Sequence, residues 1–236
     1  MRVNSAKLLL PDHRWETGVH VDLGAGRFPR NPLRCAQVVG VDILPEPPFT
    51  SSESVRYVRT SPGETLSITS QTVDSVSAYD FLEHLPRFAF RSDGSSANLF
   101  IEMMNEVHRI LRPGGLFLAL TPCYPADSTF VDPTHVNHIA VGTIDYFSGP
   151  THARALGYGF EGAFSCVAQG WIRASDPIWS TQEPLMRDLS VPWLRPHPMP
   201  PLQRIRRVVS ETSRTLRLRA PEQPPHYLWL LQRADC

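Results

Sequence analysis

The stretch VHVDLGAGRFP, residues 19–29, constrains this chain more than any other. An apolar run of strand character ends in Asp22, and two glycines follow it, Gly24 and Gly26, one residue apart. Without a Cβ, glycine lets a backbone turn sharply and come close to a ligand. In an α/β sheet such a turn stands at the carboxyl end of a strand, where ligands bind. The position three residues after Gly26 is Pro29 rather than the third glycine of the dinucleotide fingerprint. Asp22 argues the same way. Its carboxylate would meet a pyrophosphate as a like charge in a crevice of low dielectric, so the loop suits a cationic ligand instead.

The chain has 236 residues, enough for one large α/β domain over 1–236. Strand signals stand at 19–23, 37–43, 55–58, 73–79 and 116–120. A helical stripe over 97–111 carries Phe100, Met103, Met104, Val107, Ile110 and Leu111 and stops at Pro113-Gly114-Gly115. Strands alternating with helices argue a parallel sheet covered on both faces. Beyond 122 the pattern loosens, with short helices expected at 143–147 and 152–156 and strands at 160–172 and 226–232. Residues 174–225 are proline-rich and then arginine-rich, with a basic helix expected over 202–218.

No apolar run is long enough to span a membrane, and Leu8-Leu9-Leu10 is broken at once by Pro11, Asp12 and His13. A cytoplasmic location is the expectation. The four cysteines, Cys35, Cys123, Cys166 and Cys236, form no CxxC pair and read as reduced thiols. A formal charge of zero does not advertise a nucleic-acid partner. Seven arginines against the single acid Glu211 over 195–219 are the local exception.

Asp42 ends the second strand signal, where an acid accepts hydrogen bonds from both hydroxyls of a ribose. S-adenosylmethionine (SAM) carries a ribose, an ammonium, a sulfonium and no phosphate, and so matches Asp22 and Asp42 together. The series VDLGAG…VVGVDI…VDSVSAYDFLEHL…RILRPGGLFLALTP resembles a class I SAM-dependent methyltransferase over about residues 19–122. The resemblance implies a Rossmann-like, doubly wound seven-stranded sheet, mostly parallel, with the last strand inserted antiparallel between the fifth and sixth. It implies that Asp22, Gly24, Ala25 and Gly26 line the methionine end and that Asp42 and Ile43 meet ribose and adenine. Asp80 belongs to the same set. Adenine would also meet the loop Ser61-Pro62-Gly63-Glu64; the acid common in the family is Pro62 here, leaving the backbone of Gly63 as the substitute.

Asp80, Glu83 and His84 follow the fourth strand at i, i+3 and i+4, one side of a helical turn. DPTHVNH, 132–138, brings His135 and His138 into the loop after the fifth strand. His135 is the expected general base for an acceptor hydroxyl, with His138 in reserve. Asp80, Glu83, His84 and His135 could together hold a divalent ion such as Mg²⁺ or Mn²⁺. That order resembles the acid-x-x-Glu-His motif of small-RNA 2′-O-methyltransferases and ubiquinone-pathway O-methyltransferases. LEHL is also common in methyltransferases without metal, and a divalent metal is not the favoured reading.

Residues 123–150, with Tyr124, Phe130, Tyr146 and Phe147, read as an acceptor-pocket insertion. The DPTHVN segment resembles loops of bacterial methyltransferases tied to cell-surface polysaccharides. The leading expectation is O-methylation of a small molecule or a glycan hydroxyl. The alternatives are a metal-assisted RNA 2′-O-methyltransferase and a non-catalytic binding protein of the same fold. No RNA-binding module is recognisable, and nucleic acid is the less favoured partner.

Overall fold

The computed structural model describes residues 17–26, 29–45, 52–149, 153–172 and 226–234. Seven strands form one sheet: β1 (Val19–Leu23), β2 (Gln37–Asp42), β3 (Val55–Arg59), β4 (Val73–Tyr79), β5 (Leu111–Tyr124), β6 (Phe164–Ile172) and β7 (His226–Arg233). Their order is β3-β2-β1-β4-β5-β7-β6. The first five pair in parallel. β7 lies antiparallel to both β5 and β6, so the last strand of the chain is inserted as the sequence implied. A two-residue strand, Ile139–Ala140, extends the end of β5 in parallel.

Alternation along the strands sorts the core into two faces. Val21, Leu23, Val76, Ala78, Phe117, Ala119, Tyr227 and Trp229 face one way. Against them packs the apolar stripe of α1 (Leu99–Ile110), which buries Met103, Met104, Val107 and Ile110. Leu116, Leu118, Leu120, Leu228 and Leu230 face the other way, with Cys35 and Tyr79. Asn98 starts α1 by accepting hydrogen bonds from the backbone N–H of Phe100 and Ile101, which satisfies two donors that the first turn leaves open.

Several boundaries differ from the sequence expectation, each for a local reason. The helix stops at Ile110 before Pro113, but the next strand begins at once, at Leu111. A register shift between Val73 and Ser75 absorbs Pro113-Gly114-Gly115 inside the pairing. Gly115 tolerates this place because a Cβ there would stand 2.8 Å from the carbonyl oxygen of Arg112. β6 starts at Phe164 rather than 160. The expected helix at 143–147 is a 3₁₀ helix, Val141–Tyr146, and the one at 152–156 is the short turn Ala153–Leu156. Among the described residues the β1–β2 connection holds no helix. It is short and carries Pro29 and Pro32, and Asn31 brackets Cys35 through both its side-chain oxygen and its nitrogen. The proline-rich and basic stretches expected over 174–225, including the helix at 202–218, lie outside the described residues.

The contact of β5 with β7 is the seam on which the far half of the sheet rests, and Phe117 sits in it with no solvent exposure. Phe117→Ala should cost about 3–5 kcal/mol of unfolding free energy, read from the denaturant midpoint at unchanged slope. A loss below about 1 kcal/mol would show that this face is not packed as described.

Candidate active site

The carboxyl ends of β1, β2 and β4 lie side by side, and the loops that follow them enclose a cavity of about 320 Å³. That lies at the lower end of small-molecule sites. β1 contributes Gly24, whose φ of 67° is the left-handed conformation that glycine adopts without strain. A Cβ at Gly24 would stand 2.8 Å from the ring of Phe81, so the glycine also admits Phe81 to the wall. Gly24 and Ala25 donate their N–H groups to the carbonyl of Val41, tying the loop to β2.

Asp42 and Ile43 line the cavity from β2, and Asp80, Phe81 and His84 line it from the end of β4. Asp42 holds the glycine loop as well: one oxygen accepts from the N–H of Gly26 at 2.9 Å, the other from Ile43 at 2.7 Å. Asp80 has a φ of 47°, uncommon for a residue with a side chain. Its carboxylate meets His226 Nε2 at 2.7 Å, so the first residue of the inserted strand reaches past β5 to the site. Pro62 lines the cavity, whereas Gly63, at φ 90°, turns the backbone beside Leu99. Asp22, Ala25, Gly26 and Gly63 do not appear among the lining residues.

Asp22 sits directly behind Gly24, 1% exposed. One oxygen accepts from the N–H of Arg30 at 2.7 Å and the other from the hydroxyl of Ser77 at 2.5 Å. Behind it runs a buried polar row that sequence reading did not single out. Ser77 Oγ is 2.8 Å from His20 Nε2, and His20 Nδ1 is 2.7 Å from Ser75 Oγ. The ionised carboxylate can only accept, so Ser77 spends its proton on Asp22 and must accept from His20 Nε2–H. His20 Nδ1 then accepts from Ser75. Burial pushes the His20 imidazole down to about 3, which keeps it in this neutral form. Burial pushes Asp22 up to about 6, against the downward pull of the Arg30 N–H and Ser77 hydrogen bonds.

The DPTHVNH loop is held against the site by Glu83, whose backbone carbonyl accepts from both Val136 and Asn137. Asn137 in turn donates its side-chain amide to the carbonyls of Leu82 and Leu85. The result brings His135 against His84, ring centroids 4.7 Å apart and edge to face. His138 points elsewhere, lying tilted against the ring of the exposed Phe130 with centroids 4.9 Å apart. Glu83 is buried, and loss of water pushes its carboxyl up to about 7. One ligand atom from each of Glu83, His84 and His135 lies within 4.8 Å of the others, a group that leaves out Asp80.

The lining residues include two carboxylates and one imidazole, but no lysine or arginine. This donor set fits SAM, which has a ribose and two positive centres, and not a dinucleotide phosphate.

Comparison with known proteins agrees. Residues 20–119 match the family described as "Methyltransferase domain". The fold is that of a SAM-dependent methyltransferase from Mesorhizobium loti (15% identity, TM-score 0.50, covering 95% of this chain and 94% of that one). A SAM-dependent methyltransferase from Archaeoglobus fulgidus is similarly placed (16% identity, TM-score 0.51, 93% and 87%). So is a chain from the complex of the Haloferax volcanii Trm112 methyltransferase activator with a methyltransferase (14% identity, TM-score 0.52, 93% and 84%). No curated protein matches the chain.

A raised carboxyl pKa has a definite sign. Asp22 takes up a proton in the folded state near pH 6 but in the unfolded chain only near 3.8. Its buried charge therefore costs stability above about pH 6, on the order of 3 kcal/mol, and the cost is relieved as pH falls toward 4. Asp22→Asn should remove this slope from the difference between wild-type and variant melting profiles over pH 4–6.5. A difference that is flat with pH would assign the slope to other groups.

Proposed function

We propose that this chain, whose residues 20–119 match the family described as "Methyltransferase domain", is a SAM-dependent methyltransferase that transfers the methyl of SAM to a hydroxyl of a small molecule or a glycan. The observation that carries the reading is the acidic cavity behind the glycine loop, with imidazoles gathered at its open edge. SAM supplies a methyl group on a positively charged sulfur. As the acceptor oxygen bonds to the methyl carbon, the carbon–sulfur bond breaks and its electron pair stays on sulfur. The leaving group is neutral and good, so the protein's share is position and proton control.

Each residue has a distinct part. Asp42 accepts from the ribose hydroxyls through lone pairs left over from its bonds to Gly26 and Ile43, while Ile43 packs on the adenine side. Asp80 stands at the other carboxylate end, for the ammonium group, and is held there by His226. Asp22 does not line the cavity and acts by shaping the loop through Arg30. The acceptor hydroxyl sits at the edge formed by His84 and His135, which lowers its hold on its proton. His135, the base expected from the sequence, approaches the cavity by way of His84. Tyr124 and Phe130, both exposed and set edge to face, offer flat apolar faces to a sugar or ring. The arginines of 195–219 lie outside the described residues, and nothing in the site favours RNA over a smaller acceptor.

Calorimetry with SAM should show binding that Asp42→Ala weakens about 10- to 100-fold, as expected for loss of hydrogen bonds to a charged partner. Binding of NAD in place of SAM would overturn the cofactor assignment. His135→Ala should lower turnover by about 10²–10⁴-fold with SAM affinity nearly intact. Transfer of labelled methyl to RNA, but not to hydroxylated sugars or small alcohols, would reassign the acceptor class.

A further inference from the structure

Glu83, His84 and His135 share a feature that a simple base does not need. Glu83 and His84 each have one polar atom held by a neighbour and the other left with its lone pair, and His135 has a buried ring nitrogen with no partner. Glu83 Oε2 accepts from the hydroxyl of Thr121 at 3.1 Å, whereas Glu83 Oε1 is buried and has no hydrogen-bond partner. Thr134 fixes the tautomer of His84. The Thr134 hydroxyl lies 2.6 Å from Asp132 Oδ1 and 2.9 Å from His84 Nδ1. A carboxylate accepts only, so Thr134 gives its one proton to Asp132 and accepts from His84 Nδ1–H. That leaves the lone pair on His84 Nε2. His135 has its Nε2 3.8 Å from Asp132 Oδ2, while its Nδ1 is buried and without a partner. The His135 side chain is only 9% exposed, so water does not readily satisfy that nitrogen.

A bare carboxylate oxygen and a bare imidazole nitrogen, both out of water, form a costly arrangement unless a cation joins them. The supports are those of metal ligands. An imidazole that binds through one nitrogen commonly donates its other N–H to a polar group, which fixes both tautomer and ring orientation. Asp132 and Thr134 supply that support to His84, with Asp132 also facing His135. Glu83 fixes the loop that brings them, through its carbonyl bonds to Val136 and Asn137.

We propose that Glu83, His84 and His135 form a divalent transition-metal site at the acceptor edge of the cavity. The proposal rests on the methyltransferase reading for its purpose but not for its geometry. Two imidazole nitrogens and one carboxylate oxygen favour Zn²⁺, Mn²⁺, Fe²⁺ or Co²⁺ over Mg²⁺ and Ca²⁺, which prefer all-oxygen surroundings. The three ligands leave coordination positions open, and His84 lines the cavity where an acceptor would enter. A cation there would supply Lewis-acid activation of a hydroxyl. Asp80 stays outside the set, bonded to His226 and free to serve SAM.

The test uses the whole chain, stripped with a chelator and dialysed. Titration with Co²⁺, followed by visible absorption, should show one equivalent bound, displaced by Zn²⁺ and not by the same concentration of Mg²⁺ or Ca²⁺. X-ray absorption of the Co²⁺-loaded wild type should show two imidazoles and needs no variant, so a misfolded variant cannot block the result. Glu83→Gln, His84→Gln and His135→Gln should each weaken uptake about 100-fold or more. His138→Ala should leave metal affinity as it was. SAM affinity is measured on the same stripped samples, and its retention certifies the fold of each variant. Wild-type chain that binds SAM but takes up no stoichiometric Co²⁺, Zn²⁺ or Mn²⁺ overturns the metal site and leaves the methyltransferase reading standing. Metal uptake indifferent to all three substitutions, or a shell without imidazole, overturns it equally. One equivalent of metal held by these residues in a chain with no affinity for SAM would uphold the site and overturn the methyltransferase reading.

Discussion

The ligand-facing edge of this sheet hangs on a carboxylate with almost no access to water. Asp22 is opposite Ser77 in the parallel register of β1 and β4, and the two are joined by a short hydrogen bond. Its other oxygen holds the backbone of Arg30, which closes the connection back toward β2. An apolar residue could fill the same volume, but it could not hold an N–H of the loop. The row His20, Ser75 and Ser77 behind it keeps each buried polar atom paired, so the charge is tolerated rather than expelled. The direction of every proton in that row follows from the one group that can only accept.

The second constraint is the carbonyl of Glu83. It fastens the loop after β5 to the turn after β4, two segments some fifty residues apart in the chain. This backbone fastening, together with the Asn137 side-chain amide, places His135 beside His84. The side chain of Glu83 faces the same pair from the buried side, braced by Thr121 at the end of β5. Two strand ends and one loop thus contribute to one small volume: β4 through the turn with Glu83 and His84, β5 through Thr121, and the loop beyond β5 through Thr134 and His135. The inserted strand β7 adds His226, which holds Asp80, another residue of the cavity wall. Insertion of the last strand between β5 and β6 is what brings residue 226 within reach of residue 80.

Much of this was legible in the residues. The apolar alternation of β1, β2, β4 and β5, the stripe of α1 and the glycine loop all depend on neighbours within a few positions, where period and steric rules operate. Gly24, Asp42, Ile43 and Asp80, which the motif resemblance singles out, line one cavity in the fold. Asn31 brackets Cys35 through side-chain bonds that the residue types alone do not announce. The start of β5 was misplaced because a bulge, not a break, absorbs Pro113-Gly114-Gly115.

Other facts had no local signal at all. His20 looks like any residue of a buried strand until the register sets it between Ser75 and Ser77. His135 and His138 are equivalent in sequence, three residues apart in one loop. The carbonyl of Glu83 and the Asn137 amide decide that the first turns to His84 and the second to Phe130. By itself, the sequence determined the strands of the sheet, the glycine turn and the acidic character of the cavity, because these follow from residue type and short-range spacing. Tertiary structure alone decided which imidazoles meet, which protons point where, and that Asp80 pairs with His226 rather than with Glu83 and His84. Those outcomes depend on hydrogen bonds between segments far apart in the chain, and no periodicity records them.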